Sequence, residues 1–271
     1  MTLLQALVMG IVQGATEFLP VSSSGHLVLI PWLLNWQLGG IAFHVVVHAG
    51  TLLAVLAYFW RDLVALGSAA WRGLVERRPF ADPLARQAWL LLLASIPAAI
   101  AGLLLEDLVA GVLETPRAVS AFLLVTAALL IISERLGRQD RESHSLGIGD
   151  AQWIGVAQAL ALLPGISRSG ATIAGGLTRG LRRDEAARFS FLLAVPVILG
   201  GTILALIELF TTPGSAAQAG PMAVGFLAAA GVGYPAIHLF MTHVRRRPLT
   251  GFAVYCLLAG ITGLALSVFR G

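Results

Sequence analysis

Residues 13–26 read QGATEFLPVSSSGH. An amide, a carboxylate, three hydroxyls and an imidazole fall within one short stretch, and apolar chain flanks it on both sides. Residues 158–172, QALALLPGISRSGAT, repeat the theme: Gln, then Leu-Pro, then a Ser/Gly cluster. Each stretch interrupts an apolar region, 1–34 or 151–178, long enough for two half-length helices. Backbone that leaves helical geometry at membrane depth must be buried in protein or line a wet cavity. Each region therefore reads as a re-entrant helical hairpin.

The composition around these hairpins belongs to a membrane protein. Hydrophobic residues make up 57% and charged residues 12%, with a mean hydropathy of +0.84, values far from those of a soluble globule. A pI near 10.2 would suit a nucleic-acid partner, but the charge is distributed otherwise. All 18 basic residues are Arg, and nearly all lie between apolar runs, as membrane-flanking charge does. No nucleic-acid partner is expected; the expected partners are membrane lipids and a lipid substrate, with room for a homodimer. Cys256 is the single cysteine, so no disulfide framework or cysteine metal cluster is available. The start, MTLLQALVMGIVQG, lacks a basic leader followed by a cleavage site and reads as retained structure.

A membrane helix needs about 20 mostly apolar residues. Segments 41–60, 88–105, 118–133, 189–207, 222–241 and 251–269 meet or approach that length. The order is hairpin and three spans, twice over, in one membrane domain over 1–271 with repeats of about 1–140 and 141–271. An offset of 145 residues superposes Gln13 on Gln158, Ser22 on Ser167, Ser24 on Ser169 and Gly25 on Gly170, and sets Ser23 against Arg168. Pro20 and Pro164 fall one position out of step. With three spans per half, the second copy enters from the opposite side. That makes an all-α integral membrane protein with an inverted-topology repeat, whose broken segments meet near the midplane to form a site. On this topology, 15 of the 18 arginines flank one side, only Arg117 and Arg270 flank the other, and Arg168 lies inside a hairpin. The Arg-rich side is then cytoplasmic, and the first hairpin opens outward.

Glu17 is the most telling residue, because a carboxylate at membrane depth costs at least about 2.5–3.5 kcal/mol on insertion scales. Gln13 precedes it by one helical turn and shares its face. The pair could ligate a divalent cation, Mg²⁺ or Ca²⁺, through oxygen, or Glu17 could instead form a buried ion pair with Arg168. Arg168 offers a fork of donors matched to phosphate oxygens, amid Ser167, Ser169, Gly170 and Thr172. Such a loop turns N–H groups toward an anion ahead of a helix, although small residues also serve close helix packing. His26, after Ser22, Ser23, Ser24 and Gly25, suits acid–base or nucleophilic work. His44 and His48 share one face of the first span, where they could line a cavity or pair within the bundle. Asp184 reads as a helix N-cap, with Glu134, Glu185 and Arg188 at helix ends, while Glu106, Asp107, Glu114 and Glu208 lie toward the outer face. Arg, carboxylate, Ser and His together in lipid fit phosphoester or pyrophosphate cleavage on a membrane lipid, by positioning and charge stabilisation.

QGATEFLPVSSSGH and PGISRSGAT resemble the two signature motifs of the undecaprenyl-diphosphate phosphatase family, also called bacitracin-resistance proteins. EAARFSFLLAVPVILGG resembles a third characteristic stretch, and the likeness covers essentially the whole chain. The resemblance implies removal of the terminal phosphate of undecaprenyl diphosphate at the outer face of the bacterial inner membrane. That reaction recycles the carrier for peptidoglycan and confers bacitracin resistance. By position, it implies Gln13 and Glu17 for divalent metal and catalysis, Ser23 and His26 as nucleophile and acid/base, and Arg168 for phosphate with Ser167, Ser169 and Thr172 around it. Gln13 stands where many members have Glu, Ser24 where Thr is common, and His48 where many have Gln. Two rivals are weighed against this. A lipid phosphatase with a Lys/Arg-Pro motif, PSGH and SR…H is argued against by the absence of Lys. A prenyl-phosphate or anion transporter could use the same receptor groups without cleaving anything.

Overall fold

The computed structural model describes residues 1–37, 40–105, 108, 111–112, 115–211 and 219–270, without the side chains of Ile41 and residues 204–211. Glu106, Asp107, Glu114 and the side chain of Glu208 lie outside the described residues. Eleven helices are described: α1 Leu3–Thr16, α2 Ser23–Leu34, α3 Gly40–Tyr58, α4 Trp60–Val75, α5 Pro83–Leu104, α6 Pro116–Leu136, α7 Ile148–Leu160, α8 Arg168–Thr178, α9 Arg183–Thr211, α10 Ala219–Val244 and α11 Thr250–Arg270. Five of them are long and apolar enough to cross a membrane, six when α3 and α4 count as one bent pair. The chain is an all-α integral membrane protein, and the six spans read from sequence correspond to α3, α5, α6, α9, α10 and α11.

Both broken regions form helix–turn–helix units, α1–α2 and α7–α8, with the breaks where Pro, Gly and Ser interrupt the apolar runs. Thr2 and Gln5 close a capping box at the start of α1, which supplies two partners for otherwise orphaned N–H groups. Each unit packs its first helix on the middle long helix of the other half: α1 lies along α10, and α7 along α5. Small residues make the close approach available. A Cβ on Gly14 of α1 would stand 2.7 Å from the Ala229 carbonyl and 3.0 Å from the Gly233 nitrogen of α10. Gly155 of α7 meets the Ala94 carbonyl of α5 in the same way. Without water to expel, helices in lipid associate through such close packing.

Two features depart from the sequence expectations. The first span ends at Tyr58, and the chain turns by 78° into α4, a helix where only flanking arginines were expected. Leu66, Ala69 and Gly73 are buried on one face of α4, which packs on α5. Trp60, Val64, Trp71 and Val75 stay exposed, with the Arg61 guanidinium 5.3 Å from the Trp60 ring centre. An apolar stripe, flanking arginines and interfacial Trp are what a helix lying along a bilayer surface presents. Asp184 is not an N-cap. It sits inside the first turn of α9, where its carboxylate accepts from Arg182 at 2.9 Å.

The Arg-rich end is tied by buried or half-buried ion pairs. Asp150 takes Arg141 at 3.0 Å and Arg179 at 2.6 Å. Glu134 takes Arg183 at 2.6 Å and the Leu249 N–H at 2.8 Å, so one carboxylate joins α6, α9 and the start of α11. Glu185 accepts from the Ser143 hydroxyl at 2.5 Å. Deeper in the molecule the main core cluster contains a run of aromatic rings. Phe18 meets Phe191 edge-on at 5.4 Å, Phe191 meets Phe240 at 5.7 Å, and Phe240 meets Phe252 at 5.5 Å.

Candidate active site

The two turns meet tip to tip, which the small residues allow. A Cβ on Gly25 would lie 3.5 Å from Gly165 Cα, and one on Gly170 would lie 3.4 Å from Pro20 Cβ. Gly165 adopts φ +102°, a conformation open to glycine and strained for other residues. Ser22 holds φ 66° without being glycine, the kind of strain found where neighbours over-determine a functional turn. Its hydroxyl caps α2 by accepting from the Gly25 N–H at 3.2 Å. Ser167 does the same for α8, accepting from the Gly170 N–H at 3.1 Å. The Ser169 hydroxyl donates to the Leu19 carbonyl at 3.0 Å and so fastens one turn to the other.

A cavity of about 330 Å³ opens at this meeting point. Glu17, Ser22, Ser23, Ser24, Ser167 and Arg168 line its polar side, with His44 and His48 from α3. Val45, Leu162, Val197 and Ile198 make its wall apolar elsewhere. Helices α2 and α8 both begin at residues lining the cavity, so two positive helix ends converge on it.

Glu17 is the hub. Its Oε1 accepts from Arg168 Nη2 at 2.9 Å, and its Oε2 accepts from Ser23 Oγ at 2.5 Å and Gln13 Nε2 at 2.9 Å. The ion pair with Arg168 is thus formed, and it lies within the cavity wall. Breaking such a pair by removing one partner costs about 3–5 kcal/mol. Two buried polar atoms here have no partner among the described residues: Arg168 Nη1 and Gln13 Oε1. The first is a spare donor and the second a spare acceptor, on an amide whose Nε2 is bonded to Glu17. Thr202 Oγ1, from a residue on the cavity's α9 side, is a third.

Not every expected site residue reaches the cavity. Ser169 and Thr172 are buried and bonded elsewhere, Thr172 to the Ser190 hydroxyl at 2.6 Å and to the Arg168 carbonyl at 2.8 Å. Gly25 and Gly170 give their N–H groups to the capping hydroxyls. Gln13 lies behind the lining, reached through Glu17. His26 turns to α11. Its Nδ1 is 2.7 Å from the Ser22 carbonyl and its Nε2 2.6 Å from the Tyr255 hydroxyl, the rings stacked at 5.7 Å. The carboxylate bonded to Ser23 is Glu17. The sequence reading left His44 open and missed Thr202 and Tyr255; the i, i+4 spacing to His48 is the signal that finds His44, whereas nothing in the sequence points to the other two.

Among the described residues no three His, Cys, Asp or Glu side chains form a metal cluster. A divalent cation at this hub would need ligands besides Glu17, and Gln13 Oε1, without a partner among the described residues, could be one.

A family model described as "Bacitracin resistance protein BacA" matches residues 6–262. The chain is 47% identical over 255 residues to an undecaprenyl-diphosphatase of Rubrobacter xylanophilus, covering 93% of this chain and 94% of that protein. It is 42% identical over 276 residues to an undecaprenyl-diphosphatase of Thermomicrobium roseum, covering 99% of each. A third undecaprenyl-diphosphatase, from Desulforudis audaxviator, is 41% identical over 267 residues and 98% of each chain. A whole-chain match of this kind carries the same conclusion as the two hairpin motifs: the chain belongs to the BacA family of bacitracin resistance proteins.

Proposed function

We propose that the protein hydrolyses the terminal phosphate of undecaprenyl diphosphate, at the outer face of a bacterial inner membrane. The reaction returns the monophosphate carrier to cell-wall synthesis and withdraws the diphosphate that bacitracin binds. The observation that carries this reading is Arg168. One of its amino groups is held by Glu17, the other is buried with no partner among the described residues, and Arg168 lines the cavity together with Ser22, Ser23, Ser24 and Ser167. A buried unmet donor is costly, and a phosphate oxygen satisfies it with a charge-assisted bond. The apolar wall suits the first isoprene units of the lipid.

The terminal phosphate lies between Arg168 and the hydroxyls of Ser22, Ser24 and Ser167. Ser23 Oγ is the nucleophile. Its proton passes to Glu17 Oε2, its oxygen bonds to the terminal phosphorus, and the bond from phosphorus to the bridging oxygen breaks. Prenyl monophosphate leaves with that oxygen. The proton held by Glu17 leaves with the prenyl monophosphate oxygen. Water then attacks the phosphoserine phosphorus, its proton passes by way of Glu17 Oε2 to Ser23 Oγ as the serine P–O bond breaks, and inorganic phosphate departs. Arg168 and the starts of α2 and α8 neutralise the equatorial oxygens throughout. Gln13 Oε1 and Glu17 would hold a divalent cation, which when bound supplies further positive charge to the phosphate oxygens.

The orientation follows from the arginines: their rich end is cytoplasmic, so the first turn is reached from outside. The exchange of partners, α1 on α10 and α7 on α5, supports an inverted repeat whose two broken units form the site between them. Phosphate release from undecaprenyl diphosphate by the purified protein in detergent, with Mg²⁺, Ca²⁺ or EDTA, tests the reading. Release lost with EDTA and restored by metal is expected; substrate binding without release under all conditions overturns it.

A further inference from the structure

His48 faces Glu17 from α3, with its Nε2 3.6 Å from Glu17 Oε2. Its other ring nitrogen, Nδ1, is 2.7 Å from the His44 carbonyl oxygen. A carbonyl oxygen can only accept, so Nδ1 carries a proton, and in the neutral ring Nε2 is the lone-pair nitrogen, 3.6 Å from the carboxylate. His26 has the same arrangement at Nδ1, but there the Tyr255 hydroxyl occupies Nε2. At His48 no side chain among the described residues is bonded to Nε2, and Glu17 Oε2, which accepts from Ser23 and Gln13, lies 3.6 Å from it.

Gln13 adds a third acceptor. Its Oε1 is buried and unpartnered, while its Nε2 sits 2.9 Å from the same Glu17 oxygen. A half-turn of the amide plane exchanges the two atoms and sets Oε1 beside Oε2. Ligands about 2.1 Å from one ion stand about 3.0 Å apart at a right angle and about 3.5 Å apart at the tetrahedral angle. The 2.9 Å and 3.6 Å separations around Glu17 Oε2 are of that size. A cation there would sit on the wall that also carries Ser23, bonded to the same carboxylate oxygen at 2.5 Å.

We infer that His48 Nε2 is a third protein ligand, with Gln13 Oε1 and Glu17 Oε2, of the cation proposed above. The ring nitrogen moves the site's preference from Mg²⁺ and Ca²⁺ toward Mn²⁺, Co²⁺ and Zn²⁺, because imidazole favours later first-row ions over the hard alkaline-earth pair. The inference deepens the cation site of the proposed function and rests on it.

The probe is Mn²⁺ alone, added to the detergent-purified protein without substrate. Pulsed electron paramagnetic resonance of the bound ion is expected to show ¹⁴N modulation from one imidazole in the wild type and in His44→Ala, and none in His48→Gln. Calorimetry is expected to show Mn²⁺ affinity weakened about tenfold or more by His48→Gln, with Ca²⁺ affinity changed less than about threefold. Bound Mn²⁺ without nitrogen coupling overturns the inference, as does coupling that survives His48→Gln or disappears in His44→Ala. Failure of Mn²⁺ to bind overturns it together with the cation site. Nitrogen-coupled Mn²⁺ in a protein that releases no phosphate sustains the ligand set and overturns the phosphatase reading instead.

Discussion

At Glu17 one side chain serves several partners, and its substitutions separate their roles. Glu17→Gln keeps the shape and a partner for Ser23 but cannot take its proton, so phosphate release should fall about 10²–10⁴-fold while the protein still folds. Steady-state release beside a thermal unfolding curve checks both halves. Glu17→Ala should also unfold at lower temperature, since it strands Arg168. Tyr255→Phe removes the donor to His26 Nε2 and is expected to lower stability by about 1 kcal/mol, measured by denaturation in detergent. Glu17 and Arg168 were legible in the sequence because charge at membrane depth stands out. The serines were less so, because a run such as SRSGAT does not say which hydroxyls turn to backbone. Ser169 and Thr172 do turn that way, whereas Ser167 also lines the cavity. Tyr255 lies 229 residues from His26 and carries no local signal.

Among the elements, the two broken units were readable because Pro, Gly and Ser interrupt apolar runs too long for one loop and too broken for one helix. Helix α4 was not readable by the same means. Its charged residues, Arg61, Asp62 and Arg72, disqualify it as a span, and its apolar residues follow a helical stripe rather than a run. The turn of the second unit depends on Gly165. With φ +102° and the Val119 carbonyl where a Cβ would stand, Gly165→Ala is expected to destabilise the fold by about 2 kcal/mol or more. Release should be lost with it, because Ser167 and Arg168 follow directly. Thermal unfolding and phosphate release measured on the same sample check this.

For the whole molecule, the asymmetry of arginine gives an orientation that labelling can read. With Cys256 replaced by Ala, a cysteine introduced at Arg78 should react with an impermeant maleimide in inside-out vesicles and stay unlabelled in right-side-out ones. The ion pairs at that end were invisible in sequence, since Glu134 and Arg183 lie 49 residues apart. They lock the halves together, and Glu134→Gln should lower stability by about 1–3 kcal/mol, read by denaturation.

The rings of Phe18, Phe191, Phe240 and Phe252 have a consequence for the cell's energy economy. Phe18 follows Glu17 of the cavity wall, and Phe252 lies in the first turn of α11, beyond Arg245, Arg246 and Arg247. The run of rings thus leads from the cavity toward the Arg-rich end, and hydrophobic constrictions stop ions by staying dry. A headgroup in the cavity is then expected to leave by the side it came from, with turnover dissipating no proton-motive force. Liposomes carrying the protein should hold a pH gradient as long as empty ones do. Phe191→Ala, which opens the middle of that run, should shorten its lifetime.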